Sequence, residues 1–172
     1  ILAFASVIPA FVSCNKEEEK NTETVKIIRT VNFSAGEVTK TVFGEPAEGK
    51  VPTLWTANKT VGVSLNFATM TQSSEPVVQG DGATATFKAE IEASGSSPYT
   101  FYAVSPYSSV VSVNSTYSSI QVDIPVSQTP LLKSVDEAAQ ILVAKYDAGN
   151  TFPTGQVEMS FEHLTAYGKI SF

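Results

Sequence analysis

Two side chains of this sequence are of types that often do chemistry: a single cysteine, Cys14, and a single histidine, His163. Nucleophilic catalysis needs a nucleophile beside a base, and the sequence has neither a Gly-x-Ser-x-Gly elbow nor a cysteine close to a histidine. The aspartates lie far apart, without the spacing of a calcium loop: Asp81, Asp123, Asp136 and Asp147. We therefore expect no enzymatic activity, no metal site and no cofactor, and we assign His163 a structural or capping role at a strand end.

Cys14 follows thirteen uncharged residues, ten of which are apolar. This is the length of a signal-peptide apolar region and is too short to span a bilayer, which takes about 20 residues. With small Ser13 before the cysteine and a polar run after it, the stretch resembles a bacterial lipoprotein signal, whose cysteine is acylated and becomes the first mature residue. Two or more acyl chains give the stable anchoring that one chain cannot. We expect residues 1–13 to be a truncated signal peptide and residues 14–23 to be a lipidated cysteine with a polar tether. An ordinary cleavable signal with an incidental cysteine is the alternative.

The polar run after Cys14 is similar to the lysine-plus-acidic signal that sends lipoproteins of Bacteroidales bacteria to the outer face of the outer membrane. It consists of Lys16, Glu17, Glu18 and Glu19. A merely solvated tether would have the same composition, and the protein would then be a periplasmic structural lipoprotein. The formal net charge is −6 and no cluster of Lys and Arg occurs, which excludes nucleic-acid binding. The expected partner of the anchor is outer-membrane lipid.

The composition and the periodicity predict an all-β fold. Ser, Thr and Val make up 58 of 172 residues, and the β-branched types suit a pleated sheet. Apolar and polar residues alternate along residues 25–33, 61–67, 83–91 and 157–161, and residues 99–104 are nearly all apolar, as in a central strand. We expect nine to ten strands in one β-sandwich over residues 24–172, with at most one or two short helical turns.

Several boundaries follow from turn-forming residues. Ser34-Ala35-Gly36 is expected to be a hairpin corner leading to a second strand at 37–43, and residues 71–75 and 147–155 are expected to be loops. The serine-rich stretch up to Ser119 predicts a hairpin or a mobile loop. A capping box at Ser134 predicts one helical turn before Gln140, and residues 166–172 are expected to form a last strand.

The sequence resembles the fimbrillin family, the lipoprotein subunits and anchors of Bacteroidales surface fimbriae. The resemblance lies in the cysteine signal and in six fragments that follow it in the family's order. The fragments are residues 31–33, 55–63, 101–106, 124–128, 142–144 and 157–164. The resemblance implies two β-sandwich domains of Greek-key, transthyretin-like topology. This chain would be the N-terminal domain, and a second domain would follow Phe172.

The resemblance also implies adhesive fimbriae that assemble by β-strand exchange. An arginine-specific protease would remove the first strand of the precursor, and a strand donated by another subunit would fill the groove. The donated strand pairs exposed backbone groups and covers an apolar floor. Arg29 is the only arginine and hence the only candidate cleavage site. It falls within a predicted strand, so an ordinary sheet-face arginine is the alternative. Expected partners are other fimbrial subunits and host or bacterial surface ligands.

A second hypothesis is a surface glycan-binding lipoprotein with the same anchor and a β-sandwich fold. Trp55, Tyr107 and Tyr117 would then be the platforms on which sugar rings stack. Because Trp55 precedes a strand rather than lying at a loop tip, a core position is its alternative role.

Overall fold

The computed structural model describes residues 27–36, 54–93, 97–129 and 139–164. These ranges contain eleven strands and one short 3₁₀ helix. The strands are β1 (Ile28–Ala35), β2 (Gly62–Leu65), β3 (Met70–Gln72), β4 (Val77–Gln79), β5 (Thr84–Glu92), β6 (Tyr99–Ser105), β7 (Val110–Asn114), β8 (Ser119–Val122), β9 (Leu142–Gly149), β10 (Val157–Met159) and β11 (Phe161–His163). The 3₁₀ helix spans Tyr107–Ser109 and connects β6 to β7.

The strands form two open sheets and a hairpin, which confirms the predicted all-β sandwich-like fold. The first sheet has the order β10-β1-β5-β4, and the second has the order β11-β9-β6-β2-β3. Strands β7 and β8 form a separate two-stranded hairpin, one of the two structures predicted for the serine-rich stretch.

The core lies between the inner faces of the two sheets and is rich in phenylalanine. Phe33 of β1 stacks on Phe87 of β5 at 5.4 Å between ring centroids, and it meets the edge of Phe101 of β6 at 5.8 Å. Each such side chain contributes about 1.5–3 kcal/mol by leaving water. The predicted alternation is confirmed in β5, where Ala85, Phe87, Ala89 and Ile91 are all buried.

The chain crosses between the sheets at both sides of the sandwich. On one side Ser73 donates its amide to the Val61 carbonyl at 2.8 Å, and Ser74 donates its amide to the Lys88 carbonyl at 2.8 Å. The two serines thus tie the segment between β3 and β4 to one sheet each. On the other side, Ser160 alone separates β10 in the first sheet from β11 in the second.

The structure corrects five boundaries. Ser34 and Ala35 are not a corner, because they belong to β1 and Ala35 is buried between β5 and β10. Residues 157–161 form two strands rather than one, the predicted loop at 71–75 begins with β3, and β9 continues to Gly149. Phe67 is not a strand residue; it lies in the turn after β2. The predicted strands at 37–43 and 166–172 and most of the predicted helical turn lie outside the described residues.

Candidate assembly site

Strand β1 is paired unequally on its two flanks. All eight of its residues pair antiparallel with β5, whereas β10 pairs in parallel only with Phe33, Ser34 and Ala35. Among the described residues, no strand lies beside the first five residues of β1 on the β10 flank. Ile28, Arg29, Thr30 and Asn32 are all exposed, and no described strand pairs with them on this side, which we call the open flank of β1.

The register shows which backbone groups face the open flank. The Ala93 amide donates to the Ile27 carbonyl at 2.7 Å, and in the β1–β5 register these two residues stand opposite each other. Hydrogen-bonded pairs alternate along an antiparallel ladder, so the odd-numbered residues of β1 bond to β5. Ile28, Thr30 and Asn32 therefore direct their N–H and C=O groups to the open flank. These are the groups that an added strand would pair with.

Beneath β1 lies the apolar floor of the sandwich. Val31 and Phe33 are 2% and 0% exposed, and the Phe33 ring covers Phe87 and Phe101. If β1 left the sheet, these rings would face water. Strand β1 is thus an integral part of the core.

Arg29 lies within β1, opposite Ile91, and its guanidinium carbon is 4.8 Å from the centroid of the Phe152 ring. This places Arg29 on the core side of the sheet, at the rim, as the alternating pattern predicted. A cut after Arg29 would leave Thr30–Ala35 in the sheet with all of its buried side chains. Cleavage at Arg29 would therefore not remove β1, the first strand in the part of the chain that the structure describes.

The structure does not bring the proposed glycan-stacking residues together. Trp55 is 2% exposed and packs edge-on against Phe161 at 5.2 Å, so the prediction that it stacks on sugars is wrong: its ring faces are in the core. Tyr107 is half-buried in the 3₁₀ helix, and Tyr117 is 79% exposed at the tip of the β7–β8 hairpin. The five residues of β7 separate the two tyrosines by roughly 17 Å along the strand.

The remaining predicted residues are not assembled into a site. Cys14, Lys16, Glu17, Glu18 and Glu19 lie outside the described residues. His163 ends β11 opposite Leu142, and burial lowers the pKa of its imidazole. Within the described ranges, no group of three or more His, Cys, Asp or Glu side chains could hold a metal ion.

Sequence reasoning missed two residues, Asn66 and Phe67, which both have positive φ, at 49° and 55°. Phe67 fits the apolar alternation of the preceding strand, which predicts that it belongs to that strand. The available signal was Asn66, because asparagine tolerates the left-handed conformation better than most residues.

The part of the chain that the structure describes contains no helix long and apolar enough to cross a membrane. In comparisons with known proteins, no family model matches the sequence, and no match was found among the curated proteins or the solved structures.

Proposed function

We propose that this protein is a lipid-anchored cell-surface protein of fimbrillin type, a non-enzymatic structural subunit or anchor of fimbriae. Acylated Cys14 would hold it in the outer membrane, and the Lys16–Glu19 run would direct it to the cell surface. The proposal for the anchor rests on the sequence, and the open flank of β1 supports assembly through a strand of another subunit.

The observation that carries the assembly proposal is the unequal pairing of β1. Ile28, Thr30 and Asn32 offer three N–H and three C=O groups along an exposed edge. A donated strand would satisfy these groups without displacing the core. The four outer strands of the two sheets, β3, β4, β10 and β11, are each only three residues long, so they offer little backbone edge of their own. Assembly by addition beside β1 therefore agrees with the structure better than replacement of β1 after cleavage at Arg29.

The test is an immunoblot of outer-membrane and shed fractions, with and without boiling in detergent. The protein would be expressed in a Bacteroidales host behind a complete lipoprotein signal. Strand-exchanged polymers give a ladder that boiling collapses, whereas a single band in both lanes would contradict assembly. Thr30→Pro removes one N–H from the open flank while leaving the bonds to β5, so it should weaken the ladder. Thr30→Val is the matched control, because it keeps the N–H and the β-branched shape.

The anchor is tested separately from assembly. Cys14→Ala should abolish labelling by radioactive palmitate and move the protein out of the membrane fraction. Retention of label in this variant would contradict the lipidation of Cys14. Loss of surface exposure after changing Lys16–Glu19 to uncharged residues, with membrane retention intact, would support the export role.

A further inference from the structure

The β2–β3 turn holds an aromatic side chain in an unfavourable backbone conformation. Phe67 has φ = 55°, which is rare for a bulky residue and persists only where surrounding contacts fix it. Neighbouring Asn66 supplies those contacts. Its amide and its Nδ2 donate to the carbonyls of Thr100 and Pro98 at 2.9 and 2.8 Å, and its Oδ1 accepts the Thr100 amide at 2.8 Å. Three hydrogen bonds thus clamp the turn to Thr100 of β6 and to Pro98 just before it.

The clamp positions Phe67 over a second ring, outside the core. Phe67 stacks on Tyr102 with a centroid distance of 3.9 Å and an interplanar angle of 29°. Tyr102 lies on the outer face of the second sheet, because its neighbours Phe101 and Ala103 point into the core. Both rings are only half-buried and are not members of the core cluster. The pair is a preorganised aromatic surface, which we call the Phe67 platform.

A polar pair stands next to the platform on the same sheet face. In the β6–β9 register, Tyr102 is opposite Lys145 and Thr100 is opposite Asp147. The Lys145 ammonium lies 2.9 Å from Asp147 Oδ2, and the Thr100 hydroxyl donates to Asp147 Oδ1 at 2.9 Å. The two charges cancel, so the pair offers donors and acceptors without attracting a charged ligand.

A groove borders the platform on the side of the β7–β8 hairpin. Its volume is about 510 Å³, within the range of small-molecule sites, and none of its lining residues is charged. Phe67 and Tyr107 line it together with Val111, Ser112 and Ser115. Tyr107 packs directly on β2, since a Cβ on Gly62 would lie 3.0 Å from the Tyr107 ring. The groove therefore offers both aromatic surface and hydroxyl groups.

We infer that the Phe67 platform and its groove bind a neutral glycan. The apolar C–H face of a pyranose ring would stack on Phe67, and its hydroxyl groups would bond to the Lys145–Asp147 pair and to the groove serines. A peptide strand fits the platform less well, because β2 and β6, next to which Phe67 and Tyr102 lie, have a strand on each side. The inference goes beyond the fimbrial proposal and does not depend on polymerisation, because the platform and the open flank of β1 are on different sheets.

The test is affinity electrophoresis of the folded protein through gels that contain one soluble polysaccharide each. The panel covers neutral glucans, mannans, xylans and galactans, and acidic hyaluronan and alginate. At least one neutral polysaccharide should retard the protein, and calorimetry with its hexasaccharide should then give the dissociation constant. Fluorescence is a poor readout, because the only tryptophan, Trp55, is buried away from the platform.

Variants locate the site. Phe67→Gly removes the ring and suits the positive φ, so the turn should persist while affinity falls at least 10-fold. The double variant Lys145→Met, Asp147→Asn changes exposed side chains only and should also weaken binding at least 10-fold. Tyr117→Ala, an exposed aromatic outside the groove, is the control and should bind normally. The inference would be overturned if no neutral polysaccharide retarded the protein, or if only acidic ones did. Equal retardation of Phe67→Gly and the wild type would also overturn it.

Discussion

Replacing Phe33 by alanine tests whether β1 is integral to the sandwich. The ring is fully buried and contacts Phe87 and Phe101 at 5.4 and 5.8 Å between centroids. Removing such a side chain costs about 3–5 kcal/mol, from lost burial and from the cavity left behind. A domain of this size is stable by about 5–15 kcal/mol, so the variant should keep a fold of much reduced stability. Phe33→Leu, which keeps most of the volume, should cost about 1 kcal/mol.

The assay is urea unfolding followed by the fluorescence of Trp55. This tryptophan is 2% exposed in the native state, so unfolding should shift its emission to longer wavelength. Val111→Ala, a change at a 58% exposed hairpin position, is the control and should alter stability by less than about 0.5 kcal/mol. A loss below about 1 kcal/mol for Phe33→Ala would refute the reasoning. Strand β1 would then be dispensable, and its removal by a protease would be feasible.

The remaining predictions concern separate sites. An arginine-specific protease should leave the folded protein intact at Arg29 and cut the urea-unfolded protein, as read by mass spectrometry; equal rates would show that β1 is not held in the sheet. Gly62→Ala should cost about 1 kcal/mol in the same urea assay, because its Cβ would lie 2.9 Å from a methionine sulfur that must shift; no loss would contradict this packing. The hydrogen bonds from Lys145 and, to a smaller extent, Thr100 lower the pKa of Asp147, so their stabilising effect should be present above about pH 3.9 and vanish as pH falls through the folded pKa; an NMR titration of Lys145→Met should show a higher carboxyl pKa than the wild type, and an unchanged pKa would contradict the pairing. Burial lowers the pKa of His163, so the free energy of unfolding should decrease as pH falls below about 6.5. A titration midpoint of the imidazole at or above that pH would contradict this prediction.

Local alternation predicted the parts of the fold in which one strand face meets the core. Ala85, Phe87, Ala89 and Ile91 repeat every second residue because one face of β5 is buried. The same pattern could not show that 157–161 is divided between two sheets. The inner faces of the two sheets line one core. Val157, Met159 and Phe161 are therefore buried at every second position, although the chain passes from the first sheet to the second at Ser160.

The aromatic platform could not be predicted, because distant contacts create it. Apolar alternation continues through Leu65 to Phe67, which favours a longer strand. The turn is instead fixed by Asn66 bonding to Thr100, 34 residues away. The candidate assembly site was predictable only in part. The alternation indicated that Arg29 lies within a strand, but which flank of β1 stays open depends on pairing with β10, over 120 residues later in the chain.

Site-resolved hydrogen exchange tests the assembly proposal most directly. In the monomer, the amides of Ile28, Thr30 and Asn32 should exchange fast, while those of Arg29 and Val31, bonded to β5, should be protected. In detergent-resistant polymers from the cell surface, all five amides should be protected, because a donated strand pairs the open flank. Fast exchange of Ile28, Thr30 and Asn32 in the polymer, or their protection already in the monomer, would contradict assembly beside β1.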